Sequence, residues 1–410
     1  MITMQETSRY AVGVDIGTTT VRAVVGHLDP TTGMPTIVGV GQAANTGMRK
    51  GVVANLSGPA QAIDAALGEA ERMSGYQVDR ATVSINGTHI LSTHADGMVA
   101  VGSSDHVVTS DDVFRVEEVA TTGKIPANRE ILEVIPHAYR LDGQDNIKDP
   151  VGMNGTRLEI DAHVVSVLTP HLENIRKVAE MAKVASSAIV PSGLASARSV
   201  LGEQQLENGV ALVDIGGSTT SIAVYEEGDL QYTAVLPYGG IHISNDLAIG
   251  LKVDLDIAEQ LKLSHASAIV RTEQGGVTIK HEGEMLQFQT SDIDEIVEAR
   301  LEEIFIGINN ELKKAGRAGR LPSGVVLTGG TAQFKSIAEY AKSSLGLAAR
   351  IGKPKGFSGF EDRIERPDYA TVIGLMLLDA ERVNQPMPQQ KSKQLGNMFS
   401  KFMAKFNAES

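Results

Sequence analysis

The chain has 410 residues, of which 42% are hydrophobic and 21% charged, with no cysteine and a formal net charge of −13. This composition is ordinary for a globular protein of two to four domains, and it excludes disulfides, thiolate metal sites and cysteine nucleophiles. The acidic balance gives no reason to expect nucleic acid as a partner. The polar N-terminus lacks the apolar stretch of a signal peptide, and no run of about 18 apolar residues occurs, so we expect a cytoplasmic protein.

The first predicted element is an alternating apolar strand, Tyr10 to Ile16, which leads through a Gly/Thr turn into a second strand. The same pattern returns about 200 residues later, after the apolar run Val210 to Ile215, with one residue inserted in the turn. A duplication of this kind predicts two related lobes. The residues singled out in these two Asp-Ile-Gly loops are Asp15, Gly17, Thr18, Thr19 and Thr20 in the first, and Asp214, Gly216, Gly217, Ser218 and Thr219 in the second.

The composition of the two loops is typical of phosphate binding. Glycines let the backbone approach a phosphate and direct several N–H groups towards it, and the hydroxyls add neutral donors. A hydrated Mg²⁺ prefers one or two carboxylates together with phosphate oxygens, which Asp15 and Asp214 would supply through water. Two such loops facing each other would hold one triphosphate from both sides. The alternative interpretation is a pair of ordinary hairpins.

A third motif follows near the end of the chain. The apolar run from Val325 leads into Gly329 and Gly330, and we predict a helix from Ala332 to Ser344. Two glycines without Cβ atoms suit the flat face of adenine. Between the second and third motifs, Glu259 and Lys262 share one face of a predicted helix, from which they would reach a ribose or a base edge. The alternative for this pair is a surface salt bridge.

Other nucleotide and catalytic patterns are missing from the sequence. There is no G-x-x-x-x-G-K-[ST] loop and no G-x-G-x-x-G fingerprint. No two histidines have metal-ligand spacing, and His137 and His163 lie in strand-like runs, where we expect them to be packed or edge residues. No Ser/His/Asp arrangement can be argued, so we name no catalytic residue.

The order of the motifs resembles the superfamily of actin, DnaK-type chaperones and sugar kinases, from about Tyr10 to Val383. An additional segment narrows the resemblance: Ile131 to Tyr139 (ILEVIPHAY) is followed by Pro150 to Glu159 (PVGMNGTRLE). These two runs, together with the segment Gly51 to Tyr76 and the sequence from Arg366 to Ala370, are similar to the bacterial division family FtsA.

This resemblance implies an α/β, actin-like (ribonuclease H-like, duplicated) two-lobe fold with a small α+β domain inserted in the first lobe. The first lobe, subdomain 1A, would comprise residues 1–85, 167–204 and 365–383, and the inserted domain, subdomain 1C, residues 86–166. The second lobe, subdomain 2A, would comprise 205–243 and 319–364, and the small subdomain, 2B, residues 244–318.

The resemblance also implies a role in division. The family binds ATP with Mg²⁺ between the lobes, forms filaments, and tethers the FtsZ ring to the cytoplasmic face of the membrane at the division site. FtsZ would contact the small subdomain, and other division proteins the inserted domain. Actin-like ATPases usually carry Gln or Glu in the first connection to orient water, whereas Ala188 to Ser196 contains neither. We therefore expect tight ATP binding and at most slow hydrolysis.

The C-terminal tail predicts a membrane contact. Residues 384–394 form a polar, proline-containing linker, and residues 395–410 an amphipathic helix with a net charge of +3 counted from Lys391. A helix this short would lie in the lipid interface without crossing it. The alternative is docking on the parent domain or a partner. The apolar face contains Leu395, Met398, Phe399, Phe402, Met403 and Phe406, and the opposite face Lys401 and Lys405.

Two other functions share the actin-like core. One is a sugar or metabolite kinase, which needs a catalytic Asp in the cleft and has no use for a lipid-binding tail. The other is a pilus-assembly adaptor, which would recruit the cytoplasmic peptide of a membrane protein. The amphipathic tail favours the membrane-tethered division scaffold over both.

Overall fold

The computed structural model describes residues 9–273 and 275–384. The predicted amphipathic helix (395–410), and all of the predicted linker (384–394) except Asn384, lie outside these residues. Within the described part of the chain, no helix is both long enough and apolar enough to cross a membrane.

The strands are short and mostly apolar. In chain order they are β1 (Tyr10–Ile16), β2 (Thr20–Leu28), β3 (Pro35–Ala44), β4 (Met48–Arg49), β5 (Val52–Val53), β6 (Arg80–Ile85), β7 (Leu91–Ala100), β8 (Arg129–Leu141), β9 (Gln144–Ile147), β10 (Arg157–Leu168), β11 (Ala185–Pro191), β12 (Val210–Ile215), β13 (Thr220–Glu226), β14 (Asp229–Leu236), β15 (Gly276–His281), β16 (Glu284–Gln289), β17 (Val325–Thr328) and β18 (Ala349–Ile351).

The helices lie between groups of these strands and after the last one. They are α1 (Ser57–Ser74), α2 (Ser110–Thr121), α3 (Thr169–Met181), α4 (Ser192–Val200), α5 (Glu203–Asn208), α6 (Gly240–Leu251), α7 (Leu255–His265), α8 (Thr290–Lys314), α9 (Ile337–Leu345), α10 (Glu361–Ile364) and α11 (Ala370–Asn384).

Two five-stranded sheets share one topology. The first has the order β3-β2-β1-β6-β11 and the second β14-β13-β12-β17-β18. In each, the strand that ends in an Asp-Ile-Gly loop pairs antiparallel with the next strand and parallel with the strand on its other side. The predicted duplication and the two-lobed α/β fold are therefore confirmed.

Helices α4 and α11 pack together beside the first sheet, and glycines permit the close contacts. A Cβ atom on Gly13 of β1 would lie 2.4 Å from the carbonyl oxygen of Val372, and one on Gly374 would lie 1.7 Å from that of Ala195. Since no side chain fits at these distances, glycine is required for α11 to reach both β1 and α4. The two helices thereby meet at the base of the cleft between the sheets.

An inserted domain follows β6. Its four strands form an antiparallel sheet in the order β7-β10-β8-β9, and α2 packs on it, starting at a capping box formed by Thr109 and Asp112. The rings of His137 and His163 stack with their centroids 4.8 Å apart, as packed residues. The inserted domain also touches the second sheet, because Lys148 pairs with Asp229 at 2.5 Å.

A second insertion lies between β14 and β17, at the position where the first sheet has the short β4–β5 hairpin and α1. It contains α6, α7, the β15–β16 hairpin and the 25-residue helix α8. The apolar face of α8, including Phe305, is buried in the same core as the apolar residues of β12 and β17. This insertion therefore packs continuously with the second sheet.

Candidate functional site

The two Asp-Ile-Gly loops lie side by side at the ends of β1 and β12. The hydroxyl of Thr18 lies 2.7 Å from that of Ser218, so a hydrogen bond joins the two loops directly. Asn86, which follows β6, donates from Nδ2 to the hydroxyl of Thr219 at 3.1 Å. Duplicated sheets thus bring together two segments that are 200 positions apart in the chain.

Asp15 is the carboxylate of the first loop. It accepts a hydrogen bond from the hydroxyl of Ser84 at 2.9 Å, and Ser84 in turn accepts one from the backbone N–H of Ile16. Burial raises the pKa of Asp15 to about 6, although the Ser84 hydrogen bond and the charge of Arg22 act in the opposite direction. The second carboxylate, Asp214, contributes to the rise. The site therefore concentrates negative charge where water is largely excluded.

Asp214 is the carboxylate of the second loop. It accepts hydrogen bonds from the hydroxyls of Ser196 on α4, at 2.6 Å, and Thr371 on α11, at 3.1 Å. Burial raises its pKa, and these two hydrogen bonds and the charge of Arg22 oppose the rise. Both hydroxyls come from the helix pair at the base of the cleft, so Asp214 is fixed from across that cleft.

The Gly329–Gly330 turn lies against the second loop. Gly329 has φ of 86°, and a Cβ atom there would lie 2.3 Å from Oδ1 of Asp214. By contrast, a Cβ atom on Gly330 would meet nothing within 4 Å. The hydroxyl of Thr331 donates to the carbonyl of Gly216 at 3.2 Å, which ties this turn to the loop. Gly330 therefore borders open space beside the paired carboxylates.

The helix predicted from Ala332 to Ser344 was placed wrongly at its start. Residues Gly330–Gln333 form a 3-10 turn, and α9 begins only at Ile337. The reason is the left-handed backbone of Ser336, with φ of 62°, which an α-helix does not accommodate.

Glu259 and Lys262 share a face of α7, as predicted. They form an ion pair at 2.6 Å, and the Lys262 ammonium also donates to the hydroxyl of Ser244 at 2.8 Å and the carbonyl of Gly240 at 3.2 Å. Lys262 is buried, whereas the side chain of Glu259 is 43% exposed, so one partner of the pair lies in the interior and the other at the surface. The N–H of Gly240 donates to the carbonyl of Gly216, and this places the pair next to the second loop.

Sequence reasoning missed several residues of this site. Gly239 and Gly240 pack directly on the second loop, since a Cβ atom on Gly239 would lie 2.5 Å from the carbonyl oxygen of Gly216. A signal was present, because this Gly-Gly pair follows an apolar strand just as Gly329 and Gly330 do. No such sequence pattern marks the single polar residues of the site, which are Ser84, Asn86, Ser196 and Thr371.

The arrangement fits a nucleotide with a divalent cation. Two buried carboxyls with raised pKa values lie beside hydroxyl donors, and Gly330 borders open space. Within residues 9–273 and 275–384, no group of three or more His, Asp or Glu could hold a metal ion by itself.

Matching sheets and paired Asp-Ile-Gly loops define an actin-like protein with a nucleotide-binding type of fold. The family model for cell division protein FtsA matches residues 211–374, and the model for the SHS2 domain inserted in FtsA matches residues 87–166. Cell division protein FtsA of Pseudomonas aeruginosa is 35% identical over 94% of this chain and 93% of its own length. The FtsA of Escherichia coli is 34% identical over 90% of both chains. The chain therefore belongs to the FtsA family of cell division proteins.

Solved structures confirm the actin-like fold. The PilM–PilN type IV pilus biogenesis complex aligns with a TM-score of 0.67 at 15% identity, covering 90% of this chain and 98% of the other. An MreB of Spiroplasma citri bound to ADP aligns with a TM-score of 0.56 at 14% identity, covering 92% and 97%. At these identities the likeness concerns the fold alone.

Proposed function

We propose that the cleft binds ATP with Mg²⁺, and that the bound form polymerises and tethers the FtsZ ring to the membrane. The observation that carries the nucleotide site is the direct meeting of the two loops through Thr18 and Ser218. Asp15 and Asp214 would hold the hydrated metal, and Glu259, Lys262 and the Gly329–Gly330 turn would hold the adenosine.

A matched pair of substitutions tests the nucleotide site. Gly330 and Gly68 both have room for a side chain, but Gly330 borders the loops whereas Gly68 lies on α1. Titration with a fluorescent ATP analogue should show that Gly330→Leu weakens binding at least about tenfold, or about 1.4 kcal/mol. Gly68→Leu should bind like the unaltered protein. Equal binding by both variants would place the nucleotide elsewhere.

Slow hydrolysis is the second part of the proposal. Ser192 and Ser196 are hydroxyls, and the amide of Asn86 is engaged by Thr219 and Ser221. The β11–α4 connection, Ala188 to Ser196, itself has no carboxylate or amide side chain to orient water. We expect turnover far below the enzyme median of about 10 s⁻¹. Phosphate release at rates approaching that value would contradict the proposal.

Membrane attachment falls on the tail, outside the described residues. Six apolar side chains on one face, with lysines opposite, support an interfacial anchor on anionic lipid. One anchor is marginal, so polymers should bind more strongly than monomers through avidity. Phe399→Glu or Phe402→Glu should abolish co-sedimentation with anionic vesicles. Unchanged sedimentation of these variants, or equal binding by monomer and polymer, would count against this assignment.

The small subdomain supports the FtsZ contact through two exposed apolar side chains. Ile249 on α6 is 77% exposed and Leu263 on α7 is 73% exposed. Leu263→Glu should remove FtsZ from pull-downs, while Met181→Glu, a matched control on α3 at 52% exposure, should not. If Met181→Glu abolished FtsZ binding and Leu263→Glu did not, the FtsZ contact would have to be assigned to the first lobe.

The inserted domain is proposed to bind other division proteins, with the whole chain peripheral at the cytoplasmic face of the division site. A fluorescent fusion should form a ring at mid-cell and lose it when residues 395–410 are deleted. A pilus adaptor would keep its localisation after that deletion. A small-molecule kinase would instead transfer phosphate to small alcohols, which a substrate screen detects.

A further inference from the structure

Arg22 is a cation whose charge acts on both Asp15 and Asp214, and sequence reasoning did not single it out. It lies on β2 directly opposite Asp15 in the antiparallel β1–β2 ladder. Side chains directly opposite each other in such a ladder extend from the same face of the sheet, with Cβ atoms about 5 Å apart. The guanidinium of Arg22 and the carboxylate of Asp15 therefore leave the sheet on the same side.

Asp368 holds Arg22 in place. One terminal nitrogen of Arg22 lies 2.8 Å from Oδ2 of Asp368, and the guanidinium carbon lies 5.1 Å from the centre of the Tyr369 ring. The preceding carbonyl, of Pro367, accepts hydrogen bonds from the N–H of Gly329 and the hydroxyl of Thr328. Asp368 is thereby anchored against the end of β17, and Arg22 links the first sheet to this anchor.

The guanidinium of Arg22 is largely buried and is not fully hydrogen-bonded. Its side chain is 17% exposed, and its Nε is buried without a hydrogen-bond partner among the described residues. Its charge acts favourably on both Asp15 and Asp214, which carry two negative charges when ionised. A triphosphate brought to this site adds more negative charge, which must be balanced by a divalent cation or by the protein.

We propose that Arg22 is a fixed counter-cation for the Asp15 and Asp214 carboxylates, and that its charge sets how strongly nucleotide binding depends on a divalent cation. This inference rests on the proposed nucleotide-binding function. With Arg22 in place, part of the negative charge in the cleft is balanced before any metal binds. Without it, the metal-free nucleotide meets two uncompensated carboxylates.

A matched control exists on the same anchor. Arg366 also donates to Asp368, at 3.0 Å, and lies 5.9 Å from the centre of the Tyr369 ring, but its side chain is 51% exposed. Removing Arg366 thus takes one partner from Asp368 while leaving the charge of Arg22 beside the loops. Arg22→Lys keeps the charge and loses the planar stacking.

The experiment compares the dissociation constant of a fluorescent ATP analogue in EDTA with that in excess MgCl₂, for the full chain. The ratio of the two constants should rise about tenfold in Arg22→Met, or about 1.4 kcal/mol. It should stay within about threefold of the unaltered protein in Arg22→Lys and Arg366→Met, or under about 0.7 kcal/mol. If Arg22→Met does not fold, Arg22→Gln removes the charge while keeping a polar group for Asp368.

Two results would overturn the inference alone. One is an unchanged ratio in Arg22→Met and Arg22→Gln, and the other is an equal rise in Arg366→Met, which would mean that Arg22 only supports Asp368. If the unaltered protein binds no nucleotide in either buffer, the proposed function fails and this inference fails with it. The unaltered protein is therefore measured first.

Discussion

The two Asp-Ile-Gly loops have nearly the same sequence and the same place in matching sheets, yet their carboxylates are held differently. Asp15 is bonded by Ser84, from the neighbouring strand of its own sheet. Asp214 is bonded by Ser196 and Thr371, from the helices α4 and α11 across the cleft. The second carboxylate thus depends on how the two halves of the molecule meet, whereas the first depends only on its own sheet.

The second loop is also more closely surrounded by other residues than the first. Ser218 and Thr219 are buried, and Gly239, Gly240 and Thr331 pack around the second loop, while Thr19 of the first loop is exposed. We infer that the second loop is a preformed half of the site and the first an adjustable half. A duplicated motif can therefore keep its chemistry while its two copies take different mechanical roles.

The largest expected effect comes from the turn that closes on the second loop. Gly329→Ala forces a side chain into left-handed backbone and against Asp214 and the carbonyl of Ile215, at 2.3 and 2.6 Å. We expect the free energy of unfolding in urea to fall by about 4 kcal/mol. Gly330→Ala, with nothing within 4 Å, should change it little. Similar losses in both variants would contradict a preformed second loop.

A buried carboxyl in the inserted domain, Glu133, gives the first lobe a pH dependence. Burial of Glu133 on β8 raises its pKa to about 8, against the opposing charge of Arg382 on α11, and Tyr225 of the second sheet lies close. The folded chain then keeps a proton that the unfolded chain has lost above about pH 4.5. The free energy of unfolding therefore falls as pH rises from about 4.5 through about 8.

Replacing Glu133 tests the sign of this dependence of stability on pH. Relative to the unaltered protein, Glu133→Gln should gain about 5 kcal/mol of stability between pH 4.5 and pH 9, measured by urea unfolding at each pH. Glu118→Gln, an exposed change on α2 of the same domain, serves as the control and should give a flat difference. A difference for Glu133→Gln that falls with pH would refute the assignment.

Removing each carboxylate compares the two loops directly. Asp214→Ala removes the acceptor shared by the hydroxyls of Ser196 and Thr371, which are left with only each other at 2.9 Å, while Asp15→Ala removes the acceptor of Ser84 alone. We expect Asp214→Ala to lower the free energy of unfolding by about 1–2 kcal/mol more than Asp15→Ala. Both should weaken nucleotide binding in MgCl₂. A greater loss of stability in Asp15→Ala would reverse the roles assigned to the loops.

The sequence predicted what depends on local pattern. The strands before both loops were predicted at Tyr10 to Ile16 and Val210 to Ile215, and the structure has these bounds, because alternation of apolar residues is a local property of a strand. The start of α9 was missed, because the left-handed backbone of Ser336 depends on the turn packed before it. The hydrogen bonds to Asp214 from α4 and α11 were not predicted for a similar reason, because they depend on how distant segments pack together.

Ser84, Ser196 and Thr371 show this limit most clearly. Each is a single hydroxyl in an apolar segment, and each acquires its role only when distant segments meet at a carboxylate. Arg22 is similar, since its partner Asp368 lies 346 positions away. The motifs predicted that the two loops form one site. The residues that hold the carboxylates of these loops could be identified only from the structure.

The smallest expected effect is the direct bond between the loops. Thr18→Val and Ser218→Ala each remove one hydroxyl of the 2.7 Å pair, and the double variant completes a thermodynamic cycle. Because the bond is neutral and partly buried, we expect a coupling of about 1 kcal/mol in the free energy of unfolding. Thr19→Val removes an exposed hydroxyl of the same loop, which lies against Gly217 without a hydrogen bond to Ser218, and should show less coupling to Ser218→Ala. Coupling to Thr19 instead of Thr18 would mean that the first loop meets the second through a different hydroxyl, and that the adjustable half takes another position in solution.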